Sequence, residues 1–336
     1  QGLDSRQHWF KLSSPPRRRS VAMSRVNAQG FYAEYHGHTI LDLTNLVDGL
    51  RSQDKTRSFV YLAGDSTLDN KHWLFGRSGK NLQEEVKAGT AAAAVNGYEH
   101  ILNPPYMIKD VSYWVNYELA NEKVQPPIAC INCAVEESCI SKRESEGFLD
   151  QDMFVRDNIT EDDILVVDVG GNDVALHPTC GVIFNIILLL YLTPTCIIRC
   201  CPWLAPGMWY FIYMFRVRLR RLVQKLIAKR KPKKVVICML YFLDEKPGDG
   251  WADGTLRALG YNSNPGKLQA VIRQVYSLAV SQIDLPDTDV VTVPLYEVLD
   301  GKDTKDYAER VEPSIQGGHK LAKALADAIL RGEPGE

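Results

Sequence analysis

The chain carries no excess of charge of either sign. Its 39 basic and 41 acidic residues leave a formal net charge of −2, so no global field favours nucleic acid. It has no apolar run of the ~20 residues that a spanning helix needs; the longest, within Cys180–Leu192, is about a dozen residues. Its eight cysteines are too scattered to read as a disulfide framework. Cys130-x-x-Cys133 lacks the second pair that a zinc site would show. Those two thiols fall in and just after an apolar run, where cysteine packs as a small hydrophobe. No metal is expected, and a reducing, intracellular setting, cytoplasmic or organellar, fits best. The sequon at Asn158-Ile-Thr160 would matter only in a secreted chain. Residues 1–30 lack the roughly 7–15-residue apolar core of a secretory signal. With Arg17, Arg18 and Arg19, several serines and Asp4 as its only acid before Arg25, this segment reads as a disordered or organelle-targeting tail. No internal repeat is apparent.

What is present is ordinary globular composition: 45% apolar and 24% charged over 336 residues, enough for one large α/β domain with an insertion, or for two domains. Apolar runs at 59–63, 127–131, 164–169, 235–240 and 289–293 alternate with helical patterns at Asp42–Leu50, Asp110–Leu119, Leu268–Ile283 and Gly318–Leu330. Such alternation predicts an α/β fold of three layers, a five-stranded parallel sheet covered by helices on both faces.

Two motifs sit at the ends of those strands. Tyr61-Leu-Ala-Gly64-Asp65-Ser66-Thr-Leu follows the first run and precedes an amphipathic stretch. The pattern predicts a tight turn opening a helix at Ser66, where free N–H groups favour a developing oxyanion. Taken alone, Gly-Asp-Ser is equally the signature of a helix N-cap. The third run enters Gly170-Gly171-Asn172-Asp173. Its glycines allow close approach of backbone to a ligand, and Asn172 offers a side-chain N–H pair. In open α/β sheets ligands bind at this strand edge.

The pair, Gly-Asp-Ser after one strand and Gly-x-Asn-Asp after a later one, resembles the SGNH (GDSL-type) esterase and lipase family over about residues 56–330. The resemblance implies a flavodoxin-like sandwich over 31–335, with Ser66 as nucleophile and no cofactor. The oxyanion would be held by the Ser66 N–H, Asn172 and one further backbone N–H. Two blocks depart from the family pattern. After Asn132, the place of the oxyanion-hole glycine falls on Glu137. In the last block, Pro313 and Gly317 keep their places, so the family's histidine and acid align with Glu312 and Glu309. A carboxylate can take the serine proton if burial beside Glu309 or Glu136 raises its pKa. His319 stands as reserve base, with His177 and His72 as outsiders.

Residues 177–232 interrupt the strand–helix rhythm. An apolar stretch from Cys180 to Leu192 breaks at Thr193-Pro194, passes Cys200 and Cys201, and ends in Trp209-Tyr-Phe-Ile-Tyr-Met-Phe215. A basic helix follows, from Arg216 to Lys234. Three readings stay open: a buried helical hairpin, an apolar lid over an acyl groove, or an interfacial membrane anchor. The basic stretch by itself also fits the solvated face of a helix. Cys200 and Cys201 are either core thiols or acyl carriers. The expected partner is a small-molecule or lipid ester, with a membrane surface as a second partner through the insertion. The expected function is ester hydrolysis; the alternative is a catalytically degenerate scaffold used for lipid binding or assembly.

Overall fold

The strands form where apolar residues run without interruption. In the computed structural model, which describes residues 25–331, the five runs become β1 (Ser58–Gly64), β2 (Ile128–Asn132), β3 (Ile164–Asp168), β4 (Lys234–Met239) and β5 (Asp289–Pro294). They pair in the order β2-β1-β3-β4-β5, every pair parallel. This is the doubly wound order of flavodoxin-like folds, whose switch point lies between β1 and β3.

Period-two alternation divides each strand between two cores. Phe59, Tyr61 and Ala63 pack into one and Val60 and Leu62 into the other. The first core is closed by α1 (Ile40–Gln53), α3 (Asp150–Asn158), α5 (Leu219–Leu226) and α6 (Pro265–Leu278). The second is closed by α2 (Val111–Asn121) and α7 (Ile315–Arg331). The sheet is therefore the middle of three layers. The starts of α1 and α2 are fixed by side-chain caps. Thr39 Oγ1 accepts the Asp42 N–H at 3.1 Å, and Asp110 Oδ1 accepts the Tyr113 N–H at 2.7 Å, each satisfying a donor the helix itself cannot.

The chain enters the fold before residue 31. Val26–Asn27 pairs with Leu102–Asn103, and the following short helix buries Ala28, Phe31 and Tyr32. The tail reading to residue 30 thus fails for 26–30, because Val26–Asn27 pair as a strand and Val26 and Ala28 are buried. Its basic cluster, Arg17–Arg19, lies outside the described residues. So do residues 332–336.

The insertion folds onto the first core as helices. α4 (Cys180–Ile187) runs into the π-helical turn of Leu188–Leu192; Thr195–Cys200 forms a short helix after Pro194. Met208–Ile212, the π-helical Tyr213–Arg218 and α5 then continue one another without a break in helical backbone. Val182, Leu189, Ile198, Met208, Phe211, Met214 and Phe215 are buried in the same core as the sheet. Among the described residues no helix is long and apolar enough to cross a membrane.

Candidate active site

Ser66 is held by strand ends rather than by a helix. The Asp65 N–H donates to the Asp168 carbonyl at 3.1 Å, so β1 and β3 stay paired into the turn. A Cβ on Gly64 would lie 2.1 Å from that carbonyl oxygen, which is why the residue before Asp65 is glycine. Beyond it, Leu68 and Asp69 N–H groups donate to the Asp65 carbonyl and Thr67 N–H to Asp65 Oδ1. These bonds make a single turn and leave out the Ser66 N–H.

No helix opens at Ser66, contrary to the sequence expectation; the next helical backbone is the π-helical His72–Gly76. The cause is where the side chains of Asp69 and Asn70 go. Asp69 Oδ2 accepts the N–H groups of Gly37 and Glu136, at 2.9 and 3.0 Å, and its other oxygen takes the buried Lys71 ammonium. Asn70 donates to the Pro313 carbonyl at 2.9 Å and accepts the Val111 N–H at 3.0 Å. Both side chains thus anchor distant loops, and the backbone follows them rather than a helical path. Asn70 thereby fixes the residue next to Glu312.

Glu312 sits on a two-residue strand, Glu312–Pro313, paired antiparallel to Tyr307–Ala308. The Ser66 hydroxyl donates to Glu312 Oε1 at 3.2 Å, with both groups buried. Glu312 Oε2 is buried with no hydrogen-bond partner. Burial, and then the neighbouring Asp65, raise the Glu312 pKa to about 8; the Ser66 hydroxyl pulls the other way. Burial also raises Asp65, to about 6. Asp168 goes up through burial and Asp65, and neither of its oxygens has a partner. Glu136 rises to about 10 through burial and its proximity to Glu312 and Asp69, while the Trp73 indole N–H lies 3.3 Å from each oxygen. The Ser66 end is therefore a desolvated cluster of carboxyls in which negative charge is strongly disfavoured.

Several expected partners lie elsewhere. Glu309 is not a second acid for Glu312: its carboxylate takes the Arg77 guanidinium at 2.6 Å, and the carboxylates that raise Glu312 are Asp65 and Asp69. His319 is on the face of α7 that meets α2, stacked on Trp114 at 4.0 Å with Nε2 2.8 Å from Glu118 Oε1. It does not border the cavity beside Ser66, so it is no base. His72 faces Tyr35 and Trp73, and neither it nor His177 borders that cavity. Glu137 has a left-handed backbone, φ 61°, and its carboxylate accepts the Tyr35 hydroxyl at 2.9 Å; it is absent from the cavity wall.

Asn172 does share the cavity with Ser66. Its amide donates to the Ser138 carbonyl at 3.2 Å, which fixes the side chain while a second N–H remains. Asp173 is not in the cavity: its carboxylate accepts the N–H groups of Ile140 and Ser141, at 2.7 and 2.9 Å. It thus holds the start of one short helix against the Gly170 turn. Gly170 has φ 122°, and a Cβ there would lie 2.7 Å from the Phe215 ring. The glycine is what lets the insertion close against the sheet edge.

The cavity itself has a volume of about 120 Å³. Asp65, Ser66, Thr67, Gly171, Asn172 and Glu312 form its polar end. The rest of its wall is mostly apolar, with Ile186, Leu189, Leu190, Phe211 and Phe215 supplied by the insertion. The segment packs as helices on the core and roofs the cleft, a placement that the hairpin and lid readings both expect. Cys200 is exposed and Cys201 half-buried, so neither is a core thiol. Among the described residues no cluster of His, Cys, Asp and Glu could hold a metal.

The sequence reading missed Asp168, Asn70, Tyr241 and Trp251. Asp168 had a signal, a lone acid closing an apolar strand. Asn70 lies only four residues past Ser66, but its partner, the Pro313 carbonyl, is 243 positions away; Tyr241 and Trp251 line the cavity from the chain beyond β4.

No family model matches the chain, and no curated protein does. Solved structures do align with it. A carbohydrate acetylesterase of Sinorhizobium meliloti is 12% identical with a TM-score of 0.41, covering 81% of this chain and 98% of its own. An acetylxylan esterase of Geobacillus stearothermophilus is 15% identical, TM-score 0.39, over 84% and 100%. An extracellular lipase of Streptomyces rimosus is 12% identical, TM-score 0.37, over 80% and 99%.

Proposed function

We propose that the chain is an SGNH-type serine hydrolase acting on an ester with an apolar acyl group, and that Glu312 serves as its base. The observation that carries this reading is the Ser66–Glu312 hydrogen bond, 3.2 Å, at the polar end of an otherwise apolar cavity. Ser66 Oγ attacks the carbonyl carbon while its proton passes to Glu312 Oε1. The oxyanion is met by the Ser66 N–H and the free N–H of Asn172. The alcohol leaves with the proton from Glu312, giving an acyl-enzyme. Water then attacks that ester and passes a proton to Glu312; the bond from the acyl carbon to Ser66 Oγ breaks, the carboxylic acid leaves, and Glu312 returns the proton to Ser66. Side chains and water suffice for each step.

Burial makes Glu312 a stronger base than an ordinary carboxylate, but one that is mostly protonated at neutral pH. With a pKa of about 8, about one molecule in ten holds it ionised at pH 7. Turnover should therefore climb as pH rises through about 8. The same observation supports a second reading, a catalytically degenerate scaffold that keeps the ester-binding cavity. Fluorophosphonate labelling and p-nitrophenyl ester hydrolysis at pH 7 and 9 separate the two. The hydrolase reading expects labelling that strengthens at pH 9 and vanishes in Ser66→Ala. An unlabelled wild type at both pH values would leave the scaffold reading standing.

A further inference from the structure

The helices that roof the cavity have a second, outward face. Phe184, Ile187, Tyr191 and Leu192 on the first stretch, Trp203 and Leu204 on the connecting turn, and Trp209 and Tyr213 on the last are between 44% and 69% exposed. Three close approaches bring these stretches together. Gly181 lies under the Tyr210 ring, and Gly207 lies against the Asn185 backbone. The Trp209 indole N–H donates to the Trp203 carbonyl at 3.2 Å. The result is a set of exposed aromatic and aliphatic side chains across the outer face of the roof, the kind of surface that marks an interaction site.

A cationic stripe continues it. Along the unbroken helical backbone from Met208 to Leu226, Arg216, Arg220 and Arg221 follow Trp209 and Tyr213 and border one shared hollow. Arg221 Nη1 donates to the Tyr213 hydroxyl at 3.2 Å, joining the two parts. Arg216, Arg220, Arg221 and Lys225 are salt-bridged to no carboxylate of the described residues. Apolar aromatics at the interface depth with arginines beside them are what an anionic bilayer surface attracts. A bilayer engages patch and stripe together, whereas a twofold contact centred on the patch would set the two stripes at opposite edges of the interface.

We propose that this face docks on an anionic lipid bilayer, Trp203 and Trp209 entering the headgroup boundary while Arg216, Arg220 and Arg221 pair with lipid phosphates. Docking does not depend on what Ser66 does, since it is read as partition and not as turnover.

The test is co-flotation of the full chain with phosphatidylcholine vesicles, with and without phosphatidylserine. Binding is expected only with phosphatidylserine and should weaken with added salt. The double variants Trp203→Ser/Trp209→Ser and Arg216→Glu/Arg220→Glu, checked for unchanged melting, should each lower partition by about tenfold or more. Because Arg17, Arg18 and Arg19 also attract anionic lipid, an Arg17→Ala/Arg18→Ala/Arg19→Ala variant is run beside them and should retain most of the binding. Equal partition of wild type and both double variants would overturn the proposal, as would loss through the Arg17–Arg19 variant alone. So would an absence of vesicle binding together with a dimer that Trp203→Ser/Trp209→Ser dissolves.

Discussion

The cavity has two ends. At one, Asp65, Ser66, Asn172 and Glu312 stand at the carboxyl edge of the sheet, each set by backbone hydrogen bonds or a fixed partner. At the other, Ile186, Leu189, Leu190, Phe211 and Phe215 hang from helices that carry π-helical turns and line a mostly apolar wall. The polar end is positioned by strands and so sets the chemistry. The apolar end is positioned by packing and so sets what fits. A displaced donor loses a reaction step, whereas a displaced methyl group changes selectivity.

The sharpest way to break this contrast is at the proposed base. Glu312→Gln keeps the size of the side chain and removes its proton acceptor, so kcat should fall by about 10²–10⁴. An unaltered kcat would place the base elsewhere. Asn172→Ala takes one donor from the oxyanion and should cost about 10²–10³ in kcat with little change in KM. A rise in KM alone would instead make Asn172 a binding residue. At the apolar end, Ile186→Trp fills space without touching Ser66. It should lower kcat/KM for an octanoyl ester by about tenfold while sparing the acetyl ester. Equal loss on both esters would mean that the roof governs folding and not fit.

The smallest effect is on stability. Burial raises the Glu312 carboxyl from 4.5 to about 8, so the folded state keeps a proton that the unfolded chain releases. The stabilisation is complete below pH 4.5 and is lost as pH rises through about 8. The melting temperature should fall by roughly 2–4 °C for each kcal/mol lost over that window. Glu312→Gln should flatten the fall. Asp65 and Glu136, also raised by burial, contribute in the same direction.

The two ends also differ in how well they could be read in advance. The strands are recoverable because each is an uninterrupted apolar run, and their motifs are local: Gly64-Asp65-Ser66 and Gly170-Gly171-Asn172 each span one turn. His319 was misread because a helix places residues by rotation about its axis. Knowing that α7 begins near Gly317 does not say that residue 319 turns toward Trp114 and Glu118. Glu309 was misread because its ion partner, Arg77, is 232 positions away. The roof could be recognised as apolar and irregular, but its inward and outward faces could not be told apart from composition.

By itself, then, the sequence determined which segments are strands, that they run parallel with helices on both faces, and which residues stand at their carboxyl ends. Those are properties of short stretches, set by backbone period and by the connections between neighbours. The resemblance anticipated Glu312 opposite Ser66, and the two meet at 3.2 Å across 246 positions; only the tertiary structure decided that Asn70 ties the two loops and that His319 and Glu309 are engaged elsewhere. It also decided the base strength of Glu312, because that depends on burial and on Asp65 and Asp69. Proximity and desolvation arise only when distant parts of the chain pack together, and no local pattern encodes them.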